Sequence, residues 1–195
     1  MNPMEFNAFF EEHSDVSTFM ECISFKGTES ESDLRRWYEY WHYPHIYNKK
    51  GKHHVFWDNV EYYGIKIQKK LGLKRSVDFD YKGFVYCHLR KDTVGYVLDY
   101  LKKHREYFKK IKYCHVGEEF FFQNIIMNSG FSSAVIKDNL IYDDWSPERE
   151  RPAILVMKDL SGIMTSGSLF ARKIEDHGES RELYEAIKEK ILLSL

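Results

Sequence analysis

From Gly83 onward, strand-like segments alternate with segments of helical spacing, and that alternation limits the fold more than any single motif. Gly83 to Leu89 predicts a strand. Behind it Val94, Val97, Leu98 and Leu101 recur at helical spacing. Ile111 to Val116 predicts a second short strand, and Glu118 to Asn128 a helix closed by Gly130. Val135 to Tyr142 and Ala153 to Met157 are strand candidates around an acidic, polar loop, and Ser168 to Ile174 predicts another strand or an ordered loop. Leu183, Ile187 and Ile191 give the last segment one apolar helical face. The first half is less regular. Asn2-Pro3 ahead of Phe6, Phe9 and Phe10 predicts a helix start. Met20 to Phe25 predicts a short strand, and Gly27 to Ser32 a polar loop. Asp33 is expected to cap a helix through Arg36, Trp37 and Trp41 that breaks near Pro44. A basic turn at Lys49 to Lys52 follows, then an amphipathic segment from Val60 to Leu71 ending at Gly72. Strands alternating with helices place the chain in the α/β class, with layered elements.

Composition narrows the function classes. At 195 residues the chain suits one domain spanning 1–195, and 43% hydrophobic residues suffice for a core. A formal net charge of −1 exerts no global pull on nucleic acid or an anionic membrane, so any anion site must be local. Cys22, Cys87 and Cys114 are an odd set without metal-ligand spacing, and they read as reduced thiols. No run approaches membrane-spanning length, and a basic segment followed by an apolar one is absent from the N-terminus. A cytoplasmic chain is expected, at most peripheral to a membrane.

The run His115 to Ser129, HVGEEFFFQNIIMNS, places Glu118 and Glu119 just after a glycine, at the head of an apolar stretch. In the first turn of a helix the macrodipole favours the ionised carboxylate. Such a group can act as a general base, and it is equally where ordinary helices keep structural glutamates. His42, His45, His53 and His54 share a short window and invite a zinc reading. They are spread over a broken helix and a lysine-rich turn with no cysteine nearby, so packing or a surface face is the expected role. Asp78 and Asp80, at i and i+2 on an extended chain, point the same way and can hold a divalent ion; the alternative is a solvated turn before Gly83. Arg172-Lys173, with Arg149 and Arg151, could hold a pyrophosphate if they converge, because arginine offers a planar donor fork; adjacent cations are otherwise a solvated surface. Trp145, after two aspartates, suits a sugar-stacking ring or a core position equally.

In order, these pieces resemble the core-2/I-branching β-1,6-N-acetylglucosaminyltransferase family, which includes peptide xylosyltransferases. Arg35-Arg36-Trp37 looks like its Arg-Trp element, and KGFVYCHLRKDTVGYVL from Lys82 is similar to its strand and following helix. EFFFQNIIMNS from Glu119 looks like its catalytic Glu motif, and Asn139-Leu140 through Trp145 with SLFARKIE from Ser168 resemble its last two blocks. The likeness covers roughly Asp33 to the C-terminus. It implies a GT-A-like fold and inverting, metal-independent transfer of a sugar from a UDP-sugar to a saccharide hydroxyl, in polysaccharide biosynthesis. Glu119 would be the general base and Lys173, with Arg172 beside it, a diphosphate contact. Arg151 would be a second such contact. Trp145 and Arg36 would lie at the acceptor, with Glu118 as an orienting neighbour there. No metal or other cofactor is expected beyond the donor. Two departures stand out. The likeness begins late, since Met4 to Glu12 seats on a helix that follows the family's first strands, so an N-terminally truncated transferase is expected. Phe84 also stands where the family often has Ser or Asn. The alternative is a non-catalytic saccharide-binding or scaffold fragment, and an incomplete sheet edge could pair with a second copy.

Overall fold

The computed structural model describes residues 2–43, 54–149 and 152–193. In chain order they form α1 (Pro3–Glu12), β1 (Thr18–Met20), β2 (Ile23–Ser24), α2 (Glu31–Arg35), α3 (His54–Lys70), β3 (Tyr81–Lys82), β4 (Cys87–Leu89) and α4 (Lys91–Lys103). There follow α5 (Tyr107–Lys112), α6 (Glu118–Met127), β5 (Val135–Ile136), β6 (Ile141–Tyr142), α7 (Leu160–Thr165), β7 (Phe170–Ala171) and α8 (Gly178–Leu192). This is a mixed α/β chain with small sheets, and it divides into two compact units, Ser17–Lys137 and Met1–Val16 with Asp138–Leu195. No described helix is long and apolar enough to cross a membrane.

In the Ser17–Lys137 unit α6 is the hub. Its sequence is apolar around most of its circumference, and Phe120, Gln123, Asn124, Ile125 and Ile126 are buried against β3, α4 and α5. Phe79 stacks on Phe120 with centroids 5.3 Å apart, and Tyr38 meets both rings edge-on at 5.3 and 5.5 Å. Such pairs add about 0.5–1.5 kcal/mol each beyond the area they bury. Beside them β1 pairs antiparallel with β4 (Phe19 opposite His88) and parallel with β5 (Phe19 opposite Ile136), giving the order β4-β1-β5. The two-residue strands β2 and β3 pair antiparallel through Ile23–Lys82 and Ser24–Tyr81. So short a ladder needs side-chain support, and buried Asn124 supplies it. Its Oδ1 accepts from the N–H groups of Asp80 and Tyr81, and its Nδ2 donates to the carbonyls of Tyr81 and Phe120.

Several expected elements differ, each for a local reason. Residues 20–25 are not one strand; they split between β1 and β2 in separate sheets. Asp33 is not a cap. The Gly27 N–H donates to Glu31 Oε2 at 2.6 Å, which starts the turn early, and α2 begins at Glu31. Of residues 83–89 only β4 is strand, because Gly83 lies against the Glu21 backbone and donates to the Glu119 carbonyl at 3.0 Å. Ile111 belongs to α5, where Tyr107 and Ile111 turn inward at i and i+4 while Lys109, Lys110 and Lys112 face solvent. The expected strand at 135–142 breaks into β5 and β6. Asp138 and Asn139 side chains accept from the N–H groups of Leu140 and Ile141, and Leu140 takes φ 57°.

In the Met1–Val16 and Asp138–Leu195 unit, α1 has a reciprocal cap. Asn2 Oδ1 accepts from Met4 and Glu5 N–H, and Glu5 Oε2 accepts from Asn2 N–H. Pro3 follows at the first helical position, as expected of that dipeptide. β6 and β7 pair in parallel, Ile141 with Phe170 and Tyr142 with Ala171. The expected strand at Ala153 is extended backbone whose N–H groups at Ala153 and Leu155 donate to the carbonyls of Asp144 and Lys173. Leu155 and Leu183 are fully buried within this unit.

Candidate functional site

Glu119 enters the first turn of α6 directly from the Gly117 corner, where an added Cβ would lie 2.6 Å from the Ile111 carbonyl oxygen. Its Oε2 is 2.6 Å from Lys82 Nζ, and the two side chains are only 21% and 16% exposed. Lys82 ends β3 and carries its ammonium 5.0 Å above the Trp37 ring. The pair is thus shielded from water, and each side chain is the other's counter-ion. Glu118, one residue earlier, is exposed and faces a different groove of about 500 Å³ that includes Val85, Phe121 and Phe122. The two carboxylates are chemically distinct.

Trp37 also meets His115 edge-on at 5.9 Å, which leads to a second cluster in the same unit. His42 Nδ1 lies 2.7 Å from Glu61 Oε1, and His115 Nδ1 lies 3.7 Å from the same oxygen. His115 and then His42 hold the Glu61 carboxyl well below its usual range, at about 2. The cluster borders a groove of about 490 Å³ whose walls include Arg36, Trp37, Asp58 and Lys66. Arg36 is also tied to Asp33, Nη2 to Oδ1 at 3.1 Å.

Asp78 and Asp80 do point the same way. Lys26 Nζ sits between them at 3.1 and 2.8 Å, so an ammonium occupies the place considered for a divalent ion, and both carboxylates raise its pKa. Among the described residues, His42 of the four-histidine window enters a cluster, and its companions come from elsewhere in the chain. His45 and His53 lie outside the described residues. The three thiols are all unpaired in disulfide terms, and burial pushes Cys22 and Cys87 each up to about 11.

Trp145, Arg172 and Lys173 belong to the Asp138–Leu195 portion of the other unit. Trp145 is 41% exposed after the β6 strand end. Arg172 follows β7, with Nε 3.8 Å from Asp143 Oδ2, and the Lys173 carbonyl accepts from the Leu155 N–H. Arg149 is engaged structurally: its guanidinium reaches Asp144 Oδ2 at 2.7 Å, Asp159 Oδ1 at 2.9 Å and the Ile154 carbonyl. Arg151 lies outside the described residues. Lys82, Glu61 and His115 carry no site signature in the sequence. Lys82 and His115 head the segments that resemble a strand and lead into the apolar run of α6, whereas Glu61 sits on an ordinary amphipathic helix with no local mark. Comparison with protein-family models, with curated proteins and with solved structures finds no match for the chain.

Proposed function

We propose that the chain is an inverting glycosyltransferase with a GT-A-like fold, moving a sugar from a UDP donor to a saccharide hydroxyl with Glu119 as general base. The observation that carries this reading is the shielded Glu119–Lys82 pair beneath Trp37, at the start of α6. Lys82 sets a counter-charge beside the carboxylate, and the indole offers an apolar face on which a sugar ring can stack. The acceptor oxygen attacks the anomeric carbon from the side opposite the UDP oxygen. As that bond forms, the acceptor proton passes to Glu119 and the carbon–oxygen bond to UDP breaks. The leaving diphosphate gains negative charge as that bond breaks, and fixed cations are what stabilise it. Because Lys82 already engages one Glu119 oxygen, the ion pair equally favours a second reading, a saccharide-binding module without turnover.

UDP release from UDP-N-acetylglucosamine, followed with a panel of saccharide acceptors, separates these readings. Transfer is expected in the native chain. Glu119→Gln should lower it by about 10²–10⁴-fold while UDP still raises the melting temperature. Turnover retained in the variant would remove Glu119 as base. Saccharide binding with neither turnover nor a UDP effect would establish the binding module instead.

A further inference from the structure

We infer that His42, Glu61 and His115 form a binding site for one divalent transition-metal ion of the zinc class. The three residues come from separate places: the loop after Tyr40, the middle of α3 and the turn before α6. Their donor atoms nevertheless all lie within 4.8 Å of one another. The scaffold around them is built independently of any ion. His42 N–H donates to the Tyr113 carbonyl at 3.0 Å and His115 N–H to the Trp37 carbonyl at 2.8 Å, which zips the two histidine-bearing segments together. The Gln68 amide bonds both the N–H and the carbonyl of Trp41, at 2.8 and 3.1 Å, and so clamps α3 and its Glu61 onto the same segment.

The imidazole of His42, itself only 8% exposed, defines the chemistry. Its Nε2 is 2.9 Å from the Arg36 carbonyl, which can only accept, so Nε2 carries a proton. Nδ1 then faces a carboxylate oxygen at 2.7 Å, an acceptor facing an acceptor unless a second proton or a cation lies between. A histidine with one nitrogen donating to a carbonyl and the other aimed at a shared carboxylate has the arrangement typical of a metal ligand and its outer partner. Donor atoms on a tetrahedral zinc ion are about 3.3 Å apart, given bonds of about 2.0–2.1 Å. The Glu61 oxygen lies 2.7 Å from one imidazole nitrogen and 3.7 Å from the other. Small side-chain rotations bring both to that spacing. Two imidazoles and one carboxylate suit zinc better than calcium or magnesium, which favour oxygen ligands alone. Three protein ligands leave one coordination position, and the neighbouring groove gives a water or a ligand oxygen access to it. The assignment does not rest on the transfer reading or on Glu119 acting as a base.

The test is calorimetric titration of the metal-stripped chain with zinc chloride near pH 7.5, paired with the visible absorption spectrum of the cobalt(II)-loaded chain. One equivalent bound at micromolar Kd or tighter, with the ligand-field bands of four-coordinate cobalt, is expected. Glu61→Gln and His115→Gln should each weaken zinc at least tenfold and abolish those bands. His115→Gln retains the backbone bonds that hold its segment, and circular dichroism of each variant reports its fold directly. His177→Gln, 79% exposed in the other unit, should bind as the native chain does. Native affinity in folded His115→Gln and Glu61→Gln, or no tight uptake by the native chain, would overturn the assignment.

Discussion

Arg75 is 8% exposed and directs its guanidinium almost wholly at carbonyl oxygens. Nη1 donates to Tyr38 O at 2.9 Å, and Nη2 reaches Lys109 O at 3.3 Å and Lys110 O. The last two belong to the closing turn of α5, where carbonyls have no partner within the helix and the macrodipole favours a cation. Arg75→Met keeps the length and removes every donor, leaving buried acceptors that each cost about 1–3 kcal/mol. With partial rehydration, urea unfolding should register a loss of about 3 kcal/mol. A loss below about 0.5 kcal/mol would mean that water replaces the guanidinium without penalty. Nothing around Arg75 in the chain announces this role, because its partners lie 34 to 39 residues away. Glu119 was more legible, since a glutamate after glycine at the head of an apolar run has a local signature. Its cation was not, because a lysine before a glycine reads as strand or turn until β3 is seen beside α6. Lys82→Met leaves the shielded Glu119 side chain without its ion-pair partner and should cost about 2 kcal/mol in urea unfolding. A loss below about 0.5 kcal/mol would show that the pair adds nothing to the packing of β3 on α6.

At the scale of elements, long helices were readable and short strands were not. The apolar run of α6 and the spacing of Val94, Val97 and Leu101 in α4 each repeat often enough to define a period. The strands β2, β3, β5, β6 and β7 have two residues each, too few for any alternation to show. They are positioned by tertiary partners such as Asn124 and by close backbone approach. Gly83 is the sharpest case. A Cβ there would stand 1.8 Å from the Glu21 carbonyl oxygen and 3.1 Å from Gln123 Nε2. The first neighbour is backbone and cannot swing away, so β3 or the chain after Met20 must shift. Gly83→Ala is expected to cost about 3 kcal/mol, at the upper end of overpacking penalties. Gly27 makes the useful comparison, because its added Cβ meets nothing within 4 Å although φ is 78°. Gly27→Ala should cost only about 1 kcal/mol, the left-handed penalty alone. Equal losses in the two variants would show that the Glu21 contact relaxes freely.

At the scale of the whole molecule, the buried protons of the Ser17–Lys137 unit set an alkaline limit on stability. Burial raises the Cys22 and Cys87 thiols from 9.0 to about 11, and the Tyr38 phenol from 10.0 to about 12. Their charged forms are disfavoured only while the chain is folded. Below pH 9 both folded and unfolded chains keep these protons, so their stabilising effect is fully present. Between about 9 and 11 the unfolded chain releases thiol protons that the native chain retains. The unfolded state then binds fewer protons, and stability falls as pH rises. The loss is complete once pH has passed the folded values, with the Tyr38 contribution extending toward pH 12. Urea midpoints recorded at pH 8, 9, 10 and 11 should therefore stay level to pH 9 and decline after it. Cys22→Ala removes one of the linked protons and should make the decline between 9 and 11 shallower, even though the small cavity lowers the midpoint at every pH. Thiol alkylation gives an independent reading of the same burial, because the thiolate is the reactive form. Iodoacetamide at pH 8 should label native Cys22 and Cys87 far more slowly than the urea-unfolded chain. A level midpoint up to pH 11, together with native labelling as fast as unfolded, would show that these thiols reach water in the folded protein.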